Sequence, residues 1–156
     1  MEQAELTEAA YDYLMQIRKK DNAIRRKELQ CEQLKSCLLP GAIRYDLDKV
    51  QNSPSDQMSE IFGRISEIED DIKVLHGEKA KLIIEISDTI ESLEDDNEKT
   101  VLSEFYVGRI PMTVVAEDIN YSPRRAYYFR KQGVIHLSAL EKVGEHCKLK
   151  SATVET

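Results

Sequence analysis

The sequence predicts an all-α fold, and three observations favour it. Charged residues make up 33% of the 156 residues and aromatic residues 6%, with no Trp, which is typical of a helix-rich chain with a light core. Residues 3–36 contain no Gly or Pro and are rich in strong helix formers. From 58 to 93, apolar residues recur at heptad spacing. We therefore expect a long-helix hairpin or coiled coil over residues 1–96 and a small three-helix domain over residues 97–143.

The first predicted element is one long amphipathic helix that ends before Pro40-Gly41, a pair that stops helices. Its apolar seam contains Leu6, Ala10, Tyr13, Ile17, Ile24, Cys31, Leu34 and Leu38. Its basic clusters, at 18–20 and 25–27, are candidates for contact with DNA phosphate. Because acidic residues lie nearby at helical spacing, an ion-paired, solvated face is the interpretation that we favour.

Residues 40–56 form a predicted irregular connection. A solvated linker would not need its four apolar side chains, which are Ile43, Tyr45, Leu47 and Val50. We therefore expect this loop to fold back against the helices, and a docking surface for a partner is the alternative. Ser53-Pro54 then begins the next helix, with Ser53 as the cap and Pro54 in the first helical position.

The helix that follows carries the most regular pattern in the chain, a coiled-coil seam of five heptads. One heptad position holds Met58, Ile65, Ile72, Lys79, Ile86 and Leu93, and the other holds Ile61, Ile68, Leu75, Leu82 and Thr89. Further apolar residues widen this stripe, so we expect the first helix to cover one part as an antiparallel hairpin and a second copy to cover the rest. The sequence therefore predicts a homodimer through Met58, Ile61, Ile65, Ile68, Ile72, Leu75, Leu82 and Ile86. Closure against the chain's own C-terminal domain is the alternative.

The C-terminal domain is predicted to begin after an acidic break at 94–98. The apolar residues of its support helix are Val101, Leu102, Phe105 and Tyr106. This helix ends near Gly108, and Pro111 blocks its continuation. From about 144 the chain has mixed polar residues and no periodicity, so we expect residues 144–156 to form a disordered tail.

Residues 114–130 have the pattern of two helices joined by a tight turn. Asn120 breaks the first helix, since Asn tolerates a left-handed backbone. Ser122 is a good N-cap, and Pro123 suits the first helical position because its missing N–H would be unpaired there. The second helix has an apolar face of Ala126, Phe129, Gly133 and Leu137 and an opposite face of Arg124, Arg125, Tyr128 and Lys131. One buried face and one basic-aromatic face are what a helix in the DNA major groove requires.

The charge distribution favours DNA binding by this second helix, although the net charge of the chain is −7. Residues 1–97 hold 13 Lys and Arg against 22 Asp and Glu, whereas residues 98–156 hold 9 against 7. Between Ser122 and Lys142 there are five basic residues and one acidic residue. Positive charge is therefore concentrated where the DNA contact is predicted, and ordinary solvated charge is the alternative interpretation.

The same segment resembles the helix-turn-helix of region 4 of bacterial sigma factors and of the phage regulators that share it. In that motif the buried positions follow the capping Ser by four, seven, eleven and fifteen residues, which here are Ala126, Phe129, Gly133 and Leu137. Residues 38–140 as a whole are similar to the RinA/ArpU-like prophage proteins. Those proteins also carry a helical N-terminal half and a segment like Ile43-Arg44-Tyr45-Asp46. The resemblance implies a transcriptional regulator of phage or prophage genes.

Residues just after the cap of the second helix are the candidate base readers. Arg124 and Arg125 lead, because Arg pairs bidentately with guanine. Tyr127 or Tyr128 could contact phosphate or a thymine methyl. For Tyr127, packing on the support helix is the alternative.

Other residues of the second helix are candidates for sequence-independent contact with the DNA backbone. Ser122 and Pro123 begin a helix whose free backbone N–H groups can hold a phosphate. Arg130 and Lys131 would attract phosphates whatever the base sequence. The acidic face of the preceding helix is expected to lie away from the DNA.

Other function classes find no support in the sequence. No nucleophile–base pair, phosphate loop or metal-ligand spacing is visible, so we expect neither an enzyme nor a bound cofactor or metal. Cys31, Cys37 and Cys147 lack paired spacing and are interpreted as thiols in a reducing cytosol. No apolar run reaches membrane length and no signal peptide opens the chain, so a cytoplasmic protein is expected. Two alternatives to a DNA-binding regulator stay open: a sigma-like module that binds RNA polymerase, and a structural coiled-coil protein.

Overall fold

The computed structural model describes residues 2–38 and 54–154, and every element within them is helical, which confirms the predicted all-α class. In chain order the elements are α1 (Glu2–Leu14), α2 (Gln16–Ser36), α3 (Pro54–Glu91), α4 (Asp96–Leu102), a π-helical segment (Ser103–Val107), α5 (Met112–Asp118), α6 (Pro123–Ser138) and α7 (Glu141–Val154). None of these helices combines the length and the apolar character that crossing a membrane requires. The predicted irregular connection over 40–56 lies outside the described residues, apart from its last three, which open α3.

The described residues form two compact units. Unit 1 lies within Met1–Lys19 and Ala80–Thr156, and unit 2 lies within Lys20–Lys79. The sequence placed the domain boundary at 96/97 instead. In the structure, residues 80–96 belong with the C-terminal helices, because their apolar side chains share one core with those of α4 and α6.

The main core of unit 1 is formed by α1, the end of α3, α4, α6 and α7, with contributions from the start of α2 and the π-helical segment. Its buried residues are Ala10, Tyr13, Leu14, Ile17, Ile86, Ile90, Leu93, Leu102, Tyr106, Val134, Leu137 and Val143. The hydroxyl of Tyr13 lies 2.9 Å from the hydroxyl of Thr89, so the polar end of this buried ring has a hydrogen-bond partner. Most of the apolar face predicted for residues 3–17 is therefore buried in this core.

A second core in unit 1 supports the segment in which DNA contact is predicted. Its buried members are Val101, Met112, Val115, Ala116, Ala126 and Phe129, and Phe105, Ile110 and Ile119 pack against them. Three of the four apolar residues expected on the support helix contribute to these two cores as buried side chains, and Phe105 is half-buried between them. Helices α5 and α6 therefore share one core with α4 and the π-helical segment.

The end of the π-helical segment sets the start of α5. Gly108 caps it, as the sequence predicted, and its N–H donates to the carbonyl of Ser103 at 2.9 Å. The left-handed residue is the next one, Arg109, with φ of 55°, after which the N–H of Ile110 donates to the carbonyl of Glu104 at 2.9 Å. A Cβ on Gly108 would lie 3.0 Å from that same Glu104 carbonyl oxygen, so glycine permits this close return of the chain.

Unit 2 consists of the remainder of α2 and most of α3. Cys31, Ile65 and Ile68 are its buried core cluster, with Leu34, Leu38, Ile61 and Ile72 packed against them. Four ion pairs join the two helices: Lys20–Glu78, Asp21–Lys79, Lys27–Asp71 and Lys35–Glu69. Residue numbers rise along α2 while those of the partners fall along α3, so the two helices run antiparallel within this unit.

The single helix predicted over residues 3–36 is interrupted once, at Met15, which separates α1 from α2. The helical hydrogen bonds nevertheless continue across it. The N–H of Met15 donates to the carbonyl of Tyr11 at 2.9 Å, and the N–H of Lys19 donates to the carbonyl of Met15 at 3.1 Å. No Gly or Pro marks this position, so the sequence contains no local signal for the interruption.

The C-terminal tail differs from the sequence prediction. We expected residues 144–156 to be disordered, whereas α7 continues to Val154. The reason is a tertiary contact: Val143 is fully buried in the main core of unit 1, and the ring of His146 lies edge-on to the ring of Tyr13, with centroids 5.6 Å apart. A helix with little periodicity of its own is stabilised here by docking on other helices.

Candidate nucleic-acid interface

The turn between α5 and α6 is defined by backbone hydrogen bonds that satisfy the end of α5. Asn120 has φ of 59°, the left-handed conformation that the sequence predicted for it. Its N–H donates to the carbonyl of Glu117 at 3.1 Å, and the N–H of Tyr121 donates to the carbonyl of Ala116 at 3.0 Å. These two bonds form a Schellman motif, which closes a helix with a left-handed residue just past its end.

Helix α6 begins as the sequence predicted. Ser122 is its N-cap, with an extended backbone (φ −65°, ψ 153°), and its Oγ accepts a hydrogen bond from the N–H of Arg125 at 3.2 Å. Pro123 occupies the first helical position, where no N–H is required. The direction of α6 is therefore fixed by local chemistry on both sides of the turn.

One face of α6 is buried along its whole length. All four residues expected on that face, Ala126, Phe129, Gly133 and Leu137, are buried, and so is Val134. Gly133 lies at the closest approach to α4, because a Cβ built there would be 2.9 Å from the Cδ1 of Leu102, a fully buried side chain. The absence of a side chain at 133 is what allows α6 to lie this close to α4.

The opposite face of α6 is open to solvent. Seven of the eight residues predicted to contact DNA are exposed, namely Ser122, Pro123, Arg124, Arg125, Tyr127, Tyr128 and Lys131. Arg130 is the exception and is half-buried. The alternative for Tyr127 was packing on the support helix, but Tyr127 keeps 49% of its surface exposed and belongs to neither core cluster of unit 1. The turn adds an eighth exposed side chain, Tyr121.

The two arginines that follow the cap differ in their surroundings. The guanidinium of Arg125 lies over the ring of Tyr128, 4.7 Å from its centroid, and 5.0 Å from the centroid of Phe129. The ring of Tyr121 meets Phe129 edge-on at 5.2 Å. Arg124 has no ring contact and no ion pair within the described residues. Arg125 is therefore held against its own helix, whereas Arg124 is free to reach outwards.

Arg130 is held by aromatic rings on the other flank of α6. Its guanidinium lies 4.8 Å from the ring centroid of Tyr127 and 4.8 Å from that of Phe105 in the π-helical segment. A second guanidinium, that of Arg18 in α2, lies 5.7 Å from the centroid of the same Phe105 ring. Cation–π contacts of this kind favour a fixed guanidinium position. Arg18 and Arg130 are distant in the chain, so local sequence patterns could not predict that both lie against Phe105.

The acidic residues of α5 and the π-helical segment lie together. One carboxylate oxygen of Glu104, Oε2, is buried and has no hydrogen-bond partner in the described part of the chain. Burial raises the pKa of Glu104, and the nearby charge of Asp118 raises it further. Asp118 therefore interacts with Glu104 in the π-helical segment. The orientation of the acidic face of α5 relative to DNA stays a prediction.

The eight residues predicted to form the dimer seam are largely used within the chain. Ile65, Ile68 and Ile86 are buried, Ile61, Ile72 and Leu82 pack against the apolar clusters, and Met58 and Leu75 are half-buried. The large apolar side chains that α3 does expose are Phe62, Val74 and Ile84. The homodimer stays a prediction, and a second copy would have to contact these exposed residues rather than the buried ones.

Metal-ligating groups were the remaining candidates for chemistry. Over residues 2–38 and 54–154, no group of three or more His, Cys, Asp or Glu side chains is arranged to hold a metal ion. Cys31 is a buried free thiol and Cys37 an exposed one. The exposed face of α6 is consequently the feature on which a functional argument can be built.

Comparison with known proteins assigns the chain to a family. Residues 41–138 match the family described as "Protein of unknown function (DUF1492)". Because this match covers more than half of the 156 residues, the chain belongs to the DUF1492 family. No curated protein and no solved structure matches the chain significantly. The family description assigns no activity, so the function has to be argued from the geometry of α5 and α6.

Proposed function

We propose that this member of the DUF1492 family binds double-stranded DNA through α6 and regulates the transcription of phage or prophage genes in the bacterial cytoplasm. The observation that carries the proposal is the division of α6 into two faces. One face is buried against α4 and the second core of unit 1, and the other exposes basic and aromatic side chains next to an open helix N-terminus. A recognition helix in the major groove needs this combination of rigid support and accessible basic residues.

Arg124 is the residue that we assign to base reading. It is exposed, it follows the cap by two residues, and it has no competing partner within the described residues. The N-terminal residues of a recognition helix are the ones that reach base edges. A guanidinium pairs with O6 and N7 of guanine through two parallel hydrogen bonds, which is worth about 1–3 kcal/mol of discrimination against the wrong base.

The remaining exposed residues of α6 are assigned to positioning on the DNA. Arg125, fixed over the ring of Tyr128, presents its charge close to the helix and suits a phosphate better than a base. The N–H of Arg124 is the one in the first turn of α6 that has no acceptor among the described residues, and it suits a second phosphate. Lys131 is exposed about two turns further along and adds long-range attraction. Tyr127 and Tyr128 lie on the two sides of this face, where each can contact backbone or a thymine methyl.

Regulation of phage genes, rather than DNA binding of another kind, is supported by the resemblance of residues 38–140 to RinA/ArpU-like proteins and of α5–α6 to region 4 of sigma factors. A single small DNA-binding domain binds DNA weakly, whereas two linked domains bind two half-sites at a high effective concentration. The predicted homodimer would supply that second DNA-binding domain. Sedimentation at micromolar concentration should then give twice the chain mass.

The dimer is best tested with exposed rather than buried residues. Phe62→Ser and Ile84→Ser alter side chains that are 55% and 64% exposed. We expect one of these variants to shift the protein towards the monomer while its circular dichroism stays helical. Ile68 is unsuitable, because it is fully buried in unit 2 and an Asp there would disrupt that unit itself. A wild-type protein that sediments as a clean monomer contradicts the dimer and leaves DNA binding by α6 untouched.

The direct experiment is to select bound duplexes from random DNA and then measure their affinity at several salt concentrations. We expect wild type to enrich one motif and its binding to weaken steeply with salt. Arg124→Ala should lower affinity for that motif by about 10- to 100-fold and relax preference at one base pair. The matched control is Arg64→Ala, an exposed arginine of unit 2 that is paired with Glu67.

The sigma-like alternative predicts a different pattern in the same protein. If wild type retards no duplex even at low salt and instead retains bacterial RNA polymerase in a pull-down, the exposed face of α6 is a protein-binding surface. If it binds neither, the structural coiled-coil interpretation replaces both.

A further inference from the structure

Phe105 brings together two arginines that are distant in sequence. The guanidinium of Arg130, in α6, lies 4.8 Å from the centroid of the Phe105 ring, and that of Arg18, in α2, lies 5.7 Å from it. The two guanidinium groups therefore cannot be further apart than the sum of these distances. All three residues belong to unit 1.

The surroundings of this pair are aromatic rather than acidic. The ring of Tyr106 meets Phe105 edge-on at 4.9 Å, and the ring of Tyr11 meets Tyr106 at 6.3 Å. Burial is the main reason why the pKa of Tyr106 is raised, and the positive charges of Arg130 and Arg18 oppose that rise. Both charges therefore act on the same buried hydroxyl.

Neither arginine forms an ion pair with a carboxylate within the described part of the chain. Two like charges held near one ring repel each other, and the usual compensation, a neighbouring Asp or Glu, is not among their described partners. The cluster thus has two unneutralised donors with the planar, forked geometry that suits phosphate oxygens. Both side chains are half-buried rather than enclosed, so an anion can reach them.

The position of the cluster relative to α6 indicates which anion it would meet. Tyr127 and Arg130, three residues apart, lie on one flank of the exposed face, and Arg125 and Tyr128 lie on the other. A helix in the major groove has a phosphate backbone on each side. Arg125 is stacked on a ring on one flank and Arg130 on the other, so each flank presents an arginine to a different strand.

We infer that Arg18 and Arg130 form a phosphate-binding site around Phe105 that holds the DNA backbone beside α6, so that the DNA-binding surface extends to α2. This inference rests on the proposed function, because its ligand is a phosphodiester of the duplex that α6 contacts. The site carries no base specificity and contributes affinity alone. For Arg18 it favours the contact with DNA phosphate that the sequence offered as a candidate over the solvated, ion-paired face.

The test measures duplex affinity against salt for the full chain, using the duplex selected by wild type. Each phosphate contact contributes about 0.9 to the slope of log affinity against log salt, so Arg18→Gln should make the slope shallower by about one. Its Kd should rise about eightfold at 0.1 M salt, with the selected base sequence unchanged. Lys81→Gln is the control, because Lys81 is an exposed lysine of unit 1 outside the proposed DNA-binding surface, and it should leave the slope unaltered. Arg18→Lys retains the charge and should retain the slope.

Loss of folding is separated from loss of a phosphate contact by a second variant. Arg18→Met keeps an unbranched apolar stem against Phe105 and removes only the charge. If Arg18→Gln melts too early to be measured, Arg18→Met should show the same shallower slope with a melting temperature close to that of wild type. A slope equal to that of wild type in the variant that remains folded overturns the site.

The outcomes separate this inference from the function on which it rests. A wild type that binds DNA, together with an Arg18 variant of unchanged slope and affinity, overturns the phosphate site alone. A wild type that retards no duplex overturns both. A third arm adds inorganic phosphate without DNA. If millimolar phosphate raises the melting temperature of wild type but not of Arg18→Gln, while the DNA slope is the same for both, the site takes free phosphate and the assignment to DNA is wrong.

Discussion

The two units of this chain are stabilised in different ways. In the described residues of unit 1, eleven large side chains are fully buried, whereas Ile68 is the one such residue described in unit 2. Unit 2 instead has four ion pairs between its helices, most of them between side chains that are a third or more exposed. Burial of apolar area contributes about 25 cal/mol per Å², while an exposed ion pair contributes about 0–1 kcal/mol. The proposed DNA-binding helix therefore lies in the unit that has more fully buried apolar side chains.

This difference predicts how strongly substitutions destabilise each unit. Truncating a side chain in a closely packed core lowers the free energy of unfolding strongly, because the neighbouring side chains cannot move to fill the void. Two helices joined by solvated ion pairs can repack more easily around a truncated side chain, and their local unfolding requires less free energy. The chain thus places its rigid region at the candidate interface, where side chains have to be held in position for recognition. Four pairs of substitutions test this comparison.

The largest effect is expected from truncating the core of unit 1. Leu102→Ala removes a fully buried side chain that lies in the main core and against Gly133, and we expect a loss of about 2–5 kcal/mol in the free energy of unfolding. Ile65→Ala is the counterpart in unit 2, where the site is nearer solvent and can relax, and its cost should be at the lower end of that range. Urea denaturation followed by circular dichroism measures both. Equal losses would contradict the difference between the units.

Glycine-to-alanine substitutions should have opposite signs in the two units. A Cβ at Gly133 would approach the Cδ1 of Leu102 to 2.9 Å, so Gly133→Ala overpacks a closed site and should destabilise by about 1–3 kcal/mol. At Gly77, in the middle of α3, nothing lies within 4 Å of the added Cβ. Gly77→Ala should therefore stabilise by up to about 1 kcal/mol through helix propensity alone. The melting temperatures of the two variants test this prediction. A higher melting temperature for Gly133→Ala than for wild type would show that α4 and α6 can move apart to accommodate the added methyl group.

The local parts of this structure could be predicted from the sequence, because local chemistry determines them. Asn120, Ser122 and Pro123 specify a left-handed residue, a cap and a first helical position within four residues, and the turn follows. The buried face of α6 follows from helical spacing in the same way. The all-α class required only the composition and the heptad pattern.

What could not be predicted depends on contacts between distant parts of the chain. Helix α7 lacks periodicity and exists where Val143 enters a core built by other helices. The unit boundary lies inside α3 because its last residues face the C-terminal helices. Within the candidate site, exposure of α6 was predictable, but the association of Arg18 with Phe105 was not. The different surroundings of Arg124 and Arg125 likewise depend on side-chain orientation.

Breaking one side-chain contact to a carboxylate in each unit should give unequal losses in the free energy of unfolding. The Nδ1 of His136 lies 2.8 Å from a carboxylate oxygen of Glu98, whose side chain is 7% exposed. His136→Ala leaves this buried carboxylate without that partner and should cost about 1–3 kcal/mol. Lys27→Ala breaks the pair with Asp71, which is 54% exposed, and should cost less than about 1 kcal/mol. Raising the salt concentration should reduce the Lys27 effect further and change the His136 effect less. Equal losses, or a larger loss for Lys27, would mean that burial does not set the value of these contacts.

The smallest effect concerns pH and is expected in unit 1, which contains Glu104. Burial, together with the charge of Asp118, raises the pKa of Glu104 above its ordinary value. The folded chain therefore binds this proton more tightly than the unfolded chain, so its contribution to stability is present at acidic pH and is lost as the pH rises through the raised pKa. Glu104→Gln should raise the melting temperature slightly at pH 7 and leave it unchanged near pH 4, with exposed Glu117→Gln as the control. A Glu104→Gln variant with the same pH profile as wild type would show that solvent already screens this carboxyl pair.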